Sequence, residues 1–160
     1  MKVNDLDKLL EKADCDMVKL EDFKYEISPN SIHKIVSLLK ENDKIPCDYL
    51  DLLSASDYPD EDMIVINYTL SSSIDQNYMV WLKVKLSRKK PEISSLVDLF
   101  NGANWLEREI YDLFGVHFFN HPDLRRILTP EDFVGHGLLK DYSRDGFFVK
   151  KPVKISGMKV

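Results

Sequence analysis

Cysteine is scarce in this 160-residue sequence, and the scarcity excludes several kinds of site. Only Cys15 and Cys47 are present, far apart in the chain. A disulfide framework needs more cysteines, and an iron–sulfur cluster is usually held by about four. We therefore expect two ordinary reduced thiols and no iron–sulfur site in this chain.

Long apolar runs are also missing. No stretch approaches the roughly 20 residues that cross a bilayer as a helix. Residues 1–11 are polar and charged, unlike a signal peptide. We expect a cytoplasmic chain, unless a partner holds it at a membrane.

An excess of positive charge is absent as well. The formal net charge is -5, and residues 1–100 hold 19 acidic and 13 basic side chains. Residues 101–160 hold 8 acidic and 9 basic side chains, so the body of the chain is acidic and its end mildly basic. An acidic body argues against nucleic acid as the main partner.

The apolar residues present predict an α+β fold. With 44% hydrophobic residues, the chain is long enough for one domain with a core. Alternating residues favour a hairpin of two strands, and spacings of three and four favour amphipathic helices before and after it. The predicted elements are a helix at 5–12, an extended piece at 17–20, a helix at 29–41 that starts at Ser28-Pro29, strands at 47–53, 63–70 and 78–86, a loop at 55–62, and a helical run from Pro91 to Phe100. Clustered strands flanked by helices indicate a two-layer sandwich with a small, mainly antiparallel sheet.

One further helix is predicted after Gly102. Asn104 can act as its N-cap with Glu107 completing a capping box, and Gly115 can end it. Arg108 and Asp112 are four residues apart, a spacing that allows an ion pair on the helix surface.

The segment after Phe119 has no helical or strand periodicity, because prolines and glycines interrupt it. It nevertheless keeps large apolar residues, which need a surface to lie on, either in this domain or on another chain. We predict a self-folding domain at 1–119 and a partner-docking segment at 120–160.

This part of the sequence resembles a known family. Residues 107–115 read Glu-Arg-Glu-Ile-Tyr-Asp-Leu-Phe-Gly, residues 121–128 read His-Pro-Asp-Leu-Arg-Arg-Ile-Leu, and residues 130–136 read Pro-Glu-Asp-Phe-Val-Gly-His. The pattern is similar to that of the small hydrophilic 30-kilodalton subunit of NADH:quinone oxidoreductase (NADH dehydrogenase, respiratory complex I). Related subunits occur in membrane-bound [NiFe] hydrogenases and deazaflavin-cofactor dehydrogenases. The family usually continues Gly-His-Pro-Leu-Arg-Lys-Asp-(Tyr/Phe)-Pro, whereas Gly137, Leu139 and Ser143 stand here in place of Pro, Arg and Pro.

The resemblance implies a hydrophilic subunit without catalytic residues, flavin or cluster of its own. It implies packing against the large subunit that shapes the quinone site, with a small iron–sulfur subunit nearby, membrane subunits as indirect partners and the clusters in those partners. The implied location is peripheral, on the cytoplasmic side of the membrane.

The residues expected at the partner interface come from the same stretch. They are Glu107, Arg108, Tyr111, Asp112, Phe114, His121, Pro122, Asp123, Leu124, Arg125, Arg126, Pro130, Glu131, Asp132, His136, Lys140 and Asp141. Because Arg125 and Arg126 are flanked by apolar residues, we expect at least one to form a buried charge pair.

Two alternative functions stay open. The altered residues 137–143 are compatible with the equivalent subunit of a hydrogenase or deazaflavin-cofactor dehydrogenase. His117 and His121 have a spacing that could hold a metal on a helix, as in a stand-alone metal hydrolase, but Gly115 and Pro122 disfavour that helix.

Overall fold

The computed structural model describes residues 3–11, 13, 15–75 and 77–142, and residues 143–160 of the predicted docking segment lie outside them. In chain order the elements are α1 Val3–Glu11, β1 Met17–Glu21, β2 Lys24–Ile27, α2 Ile32–Lys40, β3 Tyr49–Tyr58, a 3-10 turn Pro59–Glu61, β4 Met63–Ser71, β5 Met79–Ser87, β6 Glu92–Ser94, α3 Ala103–Phe114 and β7 His117–Phe119. None of the described helices combines the length and hydropathy needed to cross a membrane.

The predicted α+β class is confirmed. Five strands form one sheet in the order β1-β2-β5-β4-β3, and only the β2–β5 pair is parallel. The predicted hairpin is present as β4 and β5, whose nine paired positions run from Met63↔Ser87 to Ser71↔Met79. Strands β6 and β7 pair in parallel as a separate small sheet.

One face of the large sheet carries the core. Cross-strand neighbours Ile66 and Val84, and Tyr68 and Leu82, are all essentially inaccessible to solvent. Helix α2 buries Ile32, Ile35, Val36 and Leu39 in the same cluster, and α1 adds Leu6 and Leu10. Each fully buried aliphatic side chain contributes roughly 1.5–3 kcal/mol through removal from water.

Two predicted element boundaries are wrong. Helix α2 begins at Ile32, since Ser28 and Pro29 instead start a turn in which the Ser31 N–H donates to the Ser28 carbonyl at 2.9 Å. The first half of the predicted loop at 55–62 is strand, because β3 stays paired with β4 up to Tyr58↔Met63.

The predicted helical run from Pro91 to Phe100 is also wrong. Ile93 lies in strand β6, opposite Phe118 of β7, and the Ser95 N–H donates to the Phe119 carbonyl at 2.9 Å. Leu96 and Phe100 are buried as the helical spacing suggested, but in a turn after the strand. Pairing with a distant strand outweighs the local pattern, and both β7 and β2 were missed for the same reason.

We expect Leu82→Ala to lower the free energy of unfolding by about 2–5 kcal/mol, because it opens a cavity in the sheet core. The matched control is Lys83→Ala, one residue along β5 on the opposite face, which should change the stability little. Urea unfolding of both variants checks this expectation, and equal effects would contradict the assignment of the two faces.

Candidate functional site

Helix α3 organises the region that carries the family-like motif. It ends at Gly115, whose positive φ of 78° and N–H donation to Tyr111 confirm the predicted C-terminal cap. Its N-terminus differs from the prediction, since Gly102 occupies the N-cap position and Asn104 lies inside the helix. The carbonyl of Asn104 instead contacts His121 Nε2 at 3.2 Å.

Asp112 is the centre of this region and is fully buried. Its Oδ2 accepts the N–H groups of Ile127, Leu128 and Thr129 at 3.0, 2.7 and 2.8 Å. Its Oδ1 accepts from Arg126 Nη1 at 2.7 Å and from the Thr129 hydroxyl. One carboxylate therefore holds a turn of otherwise irregular chain against the helix.

The predicted Arg108–Asp112 pair is wrong, because Asp112 points at residues 126–129. Arg108 donates instead to the carbonyls of Arg125 and Arg126, at 3.2 and 3.4 Å, and stacks over the Trp105 ring at 5.1 Å. Arg108 and Asp112, on adjacent turns of α3, thus both form hydrogen bonds with residues 125–129.

The hydrogen bonds at Asp112 set its charge state. Burial by itself raises the pKa of a carboxyl group, but the bonds from Thr129, Leu128 and Arg126 outweigh it and hold the pKa of Asp112 well below its ordinary value. Asp112 is consequently ionised at neutral pH, and it stabilises the fold there. That contribution is lost only as the pH falls below the ordinary range for an aspartate.

The expected buried charge pair exists at Arg126. Its side chain is 17% exposed, against 0% for its partner Asp112, and its Nη2 also donates to the Gly135 carbonyl at 2.9 Å. Arg125 is different: it is 69% exposed and pairs with the exposed Asp123.

His136 packs beneath the end of α3. Its Nδ1 lies 2.9 Å from the Asp112 carbonyl, an arrangement that requires the proton on Nδ1. A Cβ added at Gly115 would lie 2.6 Å from the His136 ring, so Gly115 is needed for space as well as for its positive φ.

A second buried aspartate holds the far end of the segment. Asp57 of β3 accepts from Arg88 Nε at 2.8 Å and from the Lys140 N–H at 2.7 Å, and Arg88 also binds Asp141. The Leu138 N–H donates to the Leu113 carbonyl at 3.0 Å. Residues 121–142 therefore lie against their own domain, held at both ends.

Glu107 does not form the predicted capping box. It is fully buried and accepts from the Ser95 hydroxyl at 2.6 Å and the Leu96 N–H at 2.7 Å, which ties α3 to the turn after β6. Burial raises the pKa of Glu107 to about 7, because these two donors offset only part of the desolvation and Asp98 adds repulsion.

The histidines do not come together as metal ligands. His117 is exposed on β7, whereas His121 is half-buried against α3 and accepts the Asp123 N–H at 3.0 Å on Nδ1. Within the described part of the chain, no three or more His, Cys, Asp or Glu side chains form a group that could hold a metal ion. Cys15 and Cys47 are both free thiols.

The predicted interface residues divide by exposure. Glu107, Arg108 and Asp112 are buried within the chain. The exposed members are Pro122, Asp123, Arg125, Pro130, Glu131, Asp132, Lys140 and Asp141, and the half-buried ones are Tyr111, Phe114, His121, Leu124, Arg126 and His136. Contact of this set with a partner stays a prediction.

The sequence reasoning missed two kinds of residue. Thr129, Asp57 and Arg88 position the segment, but their partners lie 17, 83 and 53 residues away in the chain, so no local spacing could reveal them. Exposed apolar residues were also left out of the predicted interface, among them Leu128 at 61% and Val134 at 62% exposure.

Comparison with known proteins shows which family carries this motif. The family described as the respiratory-chain NADH dehydrogenase 30 kDa subunit matches residues 25–147. The chain belongs to this family. The match includes the whole α3 motif and the segment that Asp112 and Asp57 hold.

Individual relatives of the 30 kDa subunit family agree. An NADH-quinone oxidoreductase subunit of Chlorobium phaeobacteroides is 43% identical over 108 residues, covering 68% of this chain and 65% of that protein. The corresponding NADH-quinone oxidoreductase subunit of Moorella thermoacetica is 44% identical over 110 residues, covering 68% and 74%. The first relatives matched are longer proteins, of which the alignments cover 43–65%.

A solved structure shares the fold. A chain of the membrane-bound sulfane sulfur reductase, an archaeal respiratory membrane complex, has a TM-score of 0.70 at 18% identity and covers 98% of both chains. At that identity the likeness concerns the fold alone.

One departure from the family pattern has a structural account. Leu139, where the family usually has Arg, is half-buried and packs against the core. A Cβ at Gly137 would meet only the Phe133 ring at 3.8 Å, so nothing in the structure explains the glycine there.

Arg126→Ala should lower the free energy of unfolding by about 3–5 kcal/mol, because it leaves the buried Asp112 carboxylate without its cation. Arg125→Ala is the matched control and should melt like wild type, since Arg125 pairs only at the surface. Thermal and urea unfolding measure both, and the assignment fails if the two variants behave alike.

Glu107→Gln should change the pH dependence of stability. The pKa of Glu107 is about 7 in the folded chain and near 4.5 when unfolded, so the wild type loses stability as pH rises between these values. The stability of the variant relative to wild type should rise by about 3 kcal/mol from pH 4.5 to pH 8. The exposed Glu109→Gln is the control, and urea titrations across that range would refute the shift if both variants track the wild type.

Proposed function

We propose that this chain is a hydrophilic, non-catalytic subunit of an NADH:quinone oxidoreductase complex. Its substrate chemistry would lie in partner subunits, which would hold the iron–sulfur clusters and the quinone site. Membership of the 30 kDa subunit family supports the assignment. The relatives that are NADH-quinone oxidoreductase subunits support it as well.

One observation carries the proposal. The sequence motif shared with the family coincides with a segment that hydrogen bonds and ion pairs attach to its own domain, yet this segment keeps large apolar side chains in solvent. Leu128 and Val134 are 61% and 62% exposed although neighbouring backbone is fixed by Asp112 and Arg126. A surface that is preorganised and apolar is suited to binding, because little entropy is lost when the partner docks.

The proposed partner is the large subunit that shapes the quinone site, with the small iron–sulfur subunit nearby and the membrane subunits in indirect contact. A standard interface buries about 800 Å² on each side, and the exposed residues of α3 and of 120–142 would form part of it. Held in this way, the chain would be peripheral on the cytoplasmic side of the membrane. The physical contribution would be to cover the neighbouring subunit and fix its geometry.

The equivalent subunit of a [NiFe] hydrogenase or deazaflavin-cofactor dehydrogenase is the second candidate. It rests on Gly137, Leu139 and Ser143, which depart from the pattern usual in NADH:quinone oxidoreductases. The mass of the large subunit recovered with the chain distinguishes the two.

The proposal predicts the behaviour of a Leu128→Asp, Val134→Asp double variant. Both side chains are exposed, so the isolated protein should melt like wild type, while recovery of the large subunit with an affinity-tagged chain should fall at least tenfold. Charges placed in the apolar centre of an interface remain desolvated and unpaired, which accounts for the loss.

Ile74→Asp is the matched control, because Ile74 is 68% exposed on the distant β4–β5 connection and should leave the complex intact. Point substitutions serve better than truncation at Asn120, which would also remove every donor to Asp112 in residues 126–129. Full recovery of the large subunit with the double variant would refute the proposed interface.

A further inference from the structure

The five-stranded sheet has two edges, and they differ in length and charge. Strand β1 has five residues, mixes Lys19 with Glu21, and contains an irregularity between them, features that discourage pairing with another chain. Strand β3 has ten residues, Tyr49–Tyr58. Its described backbone pairs with β4 alone, so within the described residues no strand pairs with the opposite edge. Helix α3 contacts β3, and Leu138 and Lys140 lie beside its last four residues, so the first half of the strand is the more accessible part.

The β3 edge is acidic. Residues 45–82 contain no Lys, Arg or His, and their seven acidic residues are Asp48, Asp51, Asp57, Asp60, Glu61, Asp62 and Asp75. Asp57 is neutralised by Arg88, and Asp62 has Lys89 within 3.3 Å. Asp51 on the strand, and Asp60 and Glu61 directly after it, are exposed.

Apolar surface accompanies this charge. Tyr49, Leu52 and Tyr58 are 60%, 49% and 44% exposed along the strand. A cleft of about 380 Å³ lies beside the last four residues of β3 and is also lined by Phe114, Leu138 and the cationic Lys140. The exposed acids Asp51, Asp60 and Glu61 lie outside this cleft. A segment lying along this edge would find backbone groups to bond, carboxylates to pair with and apolar surface to cover.

We propose that β3 binds an extended, basic segment of another protein chain as an additional strand of the sheet. Main-chain hydrogen bonds would provide affinity, and lysine or arginine side chains facing Asp51, Asp60 and Glu61 would provide specificity. A second copy of this chain is disfavoured, because two acidic edges would face each other. The inference goes beyond the proposed function, since none of the predicted interface residues lies on β3, although Phe114 and Lys140 of that set line the adjoining cleft.

The test uses the full chain, labelled with nitrogen-15, and the peptide acetyl-Lys-Val-Lys-Val-Lys-Val-Lys-amide as probe. Amides of β3 that point away from β4 should exchange quickly with deuterium in the free chain and at least tenfold more slowly with saturating peptide. The amides of β1 should not change. The peptide in which Glu replaces Lys should give no protection, and added salt should weaken the binding of the basic peptide.

Variants test the charge requirement. Asp51→Lys combined with Glu61→Lys should weaken binding of the basic peptide at least about fivefold, whereas Asp43→Lys, an exposed acid outside β3, should not. Equal binding of both peptides, protection at β1 instead of β3, or no protection would overturn the proposal. It would also be overturned if the outward amides of β3 exchange slowly without peptide, which would mean that the chain itself occupies the edge.

Discussion

The buried carboxylate of Asp112 is the interaction that holds the C-terminal part of the structure in place. Residues 121–142 contain no regular element, so their backbone polar groups cannot bond to one another in a helix or sheet. Asp112 accepts three consecutive N–H groups and the side chains of Arg126 and Thr129, and thereby replaces the missing ladder. Asp57 likewise accepts the Lys140 N–H, so buried carboxylates bind the segment near both of its ends.

Helix α3 shows how depth and hydrogen-bond donors together set the state of a buried acid. Glu107 and Asp112 are five residues apart and both inaccessible to solvent, but Glu107 lies deeper in the domain, and their pKa values move in opposite directions. Glu107 has two neutral donors and no cation, so desolvation dominates. Asp112 has a guanidinium, a hydroxyl and three N–H groups, which together favour the charged form. On the same helix, the environment of Glu107 favours the protonated carboxyl group and that of Asp112 favours the carboxylate.

Preorganisation connects this chemistry to the proposed role of the chain. Arg126 and Asp141 of the segment pair with Asp112 and Arg88 of the domain, while Leu128 and Val134 face solvent. A surface of this kind contacts a partner without first having to fold.

Local patterns in the sequence were enough to predict the α+β class, the β4–β5 hairpin, the amphipathic helices, the C-cap at Gly115 and the family resemblance. These features follow from short-range periodicity and from residue types at fixed spacing. The folded chain alone reveals that Glu107 binds the turn after β6, that Arg126 rather than Arg108 pairs with Asp112, and that β6 and β7 form a sheet. The partners of the buried acids lie 11 to 83 residues away, and spacing carries no information about which distant groups the fold brings together. The helical pattern from Pro91 to Phe100 was misleading for the same reason, because burial at Ile93, Leu96 and Phe100 is satisfied equally by a strand and a turn once β7 supplies the hydrogen bonds.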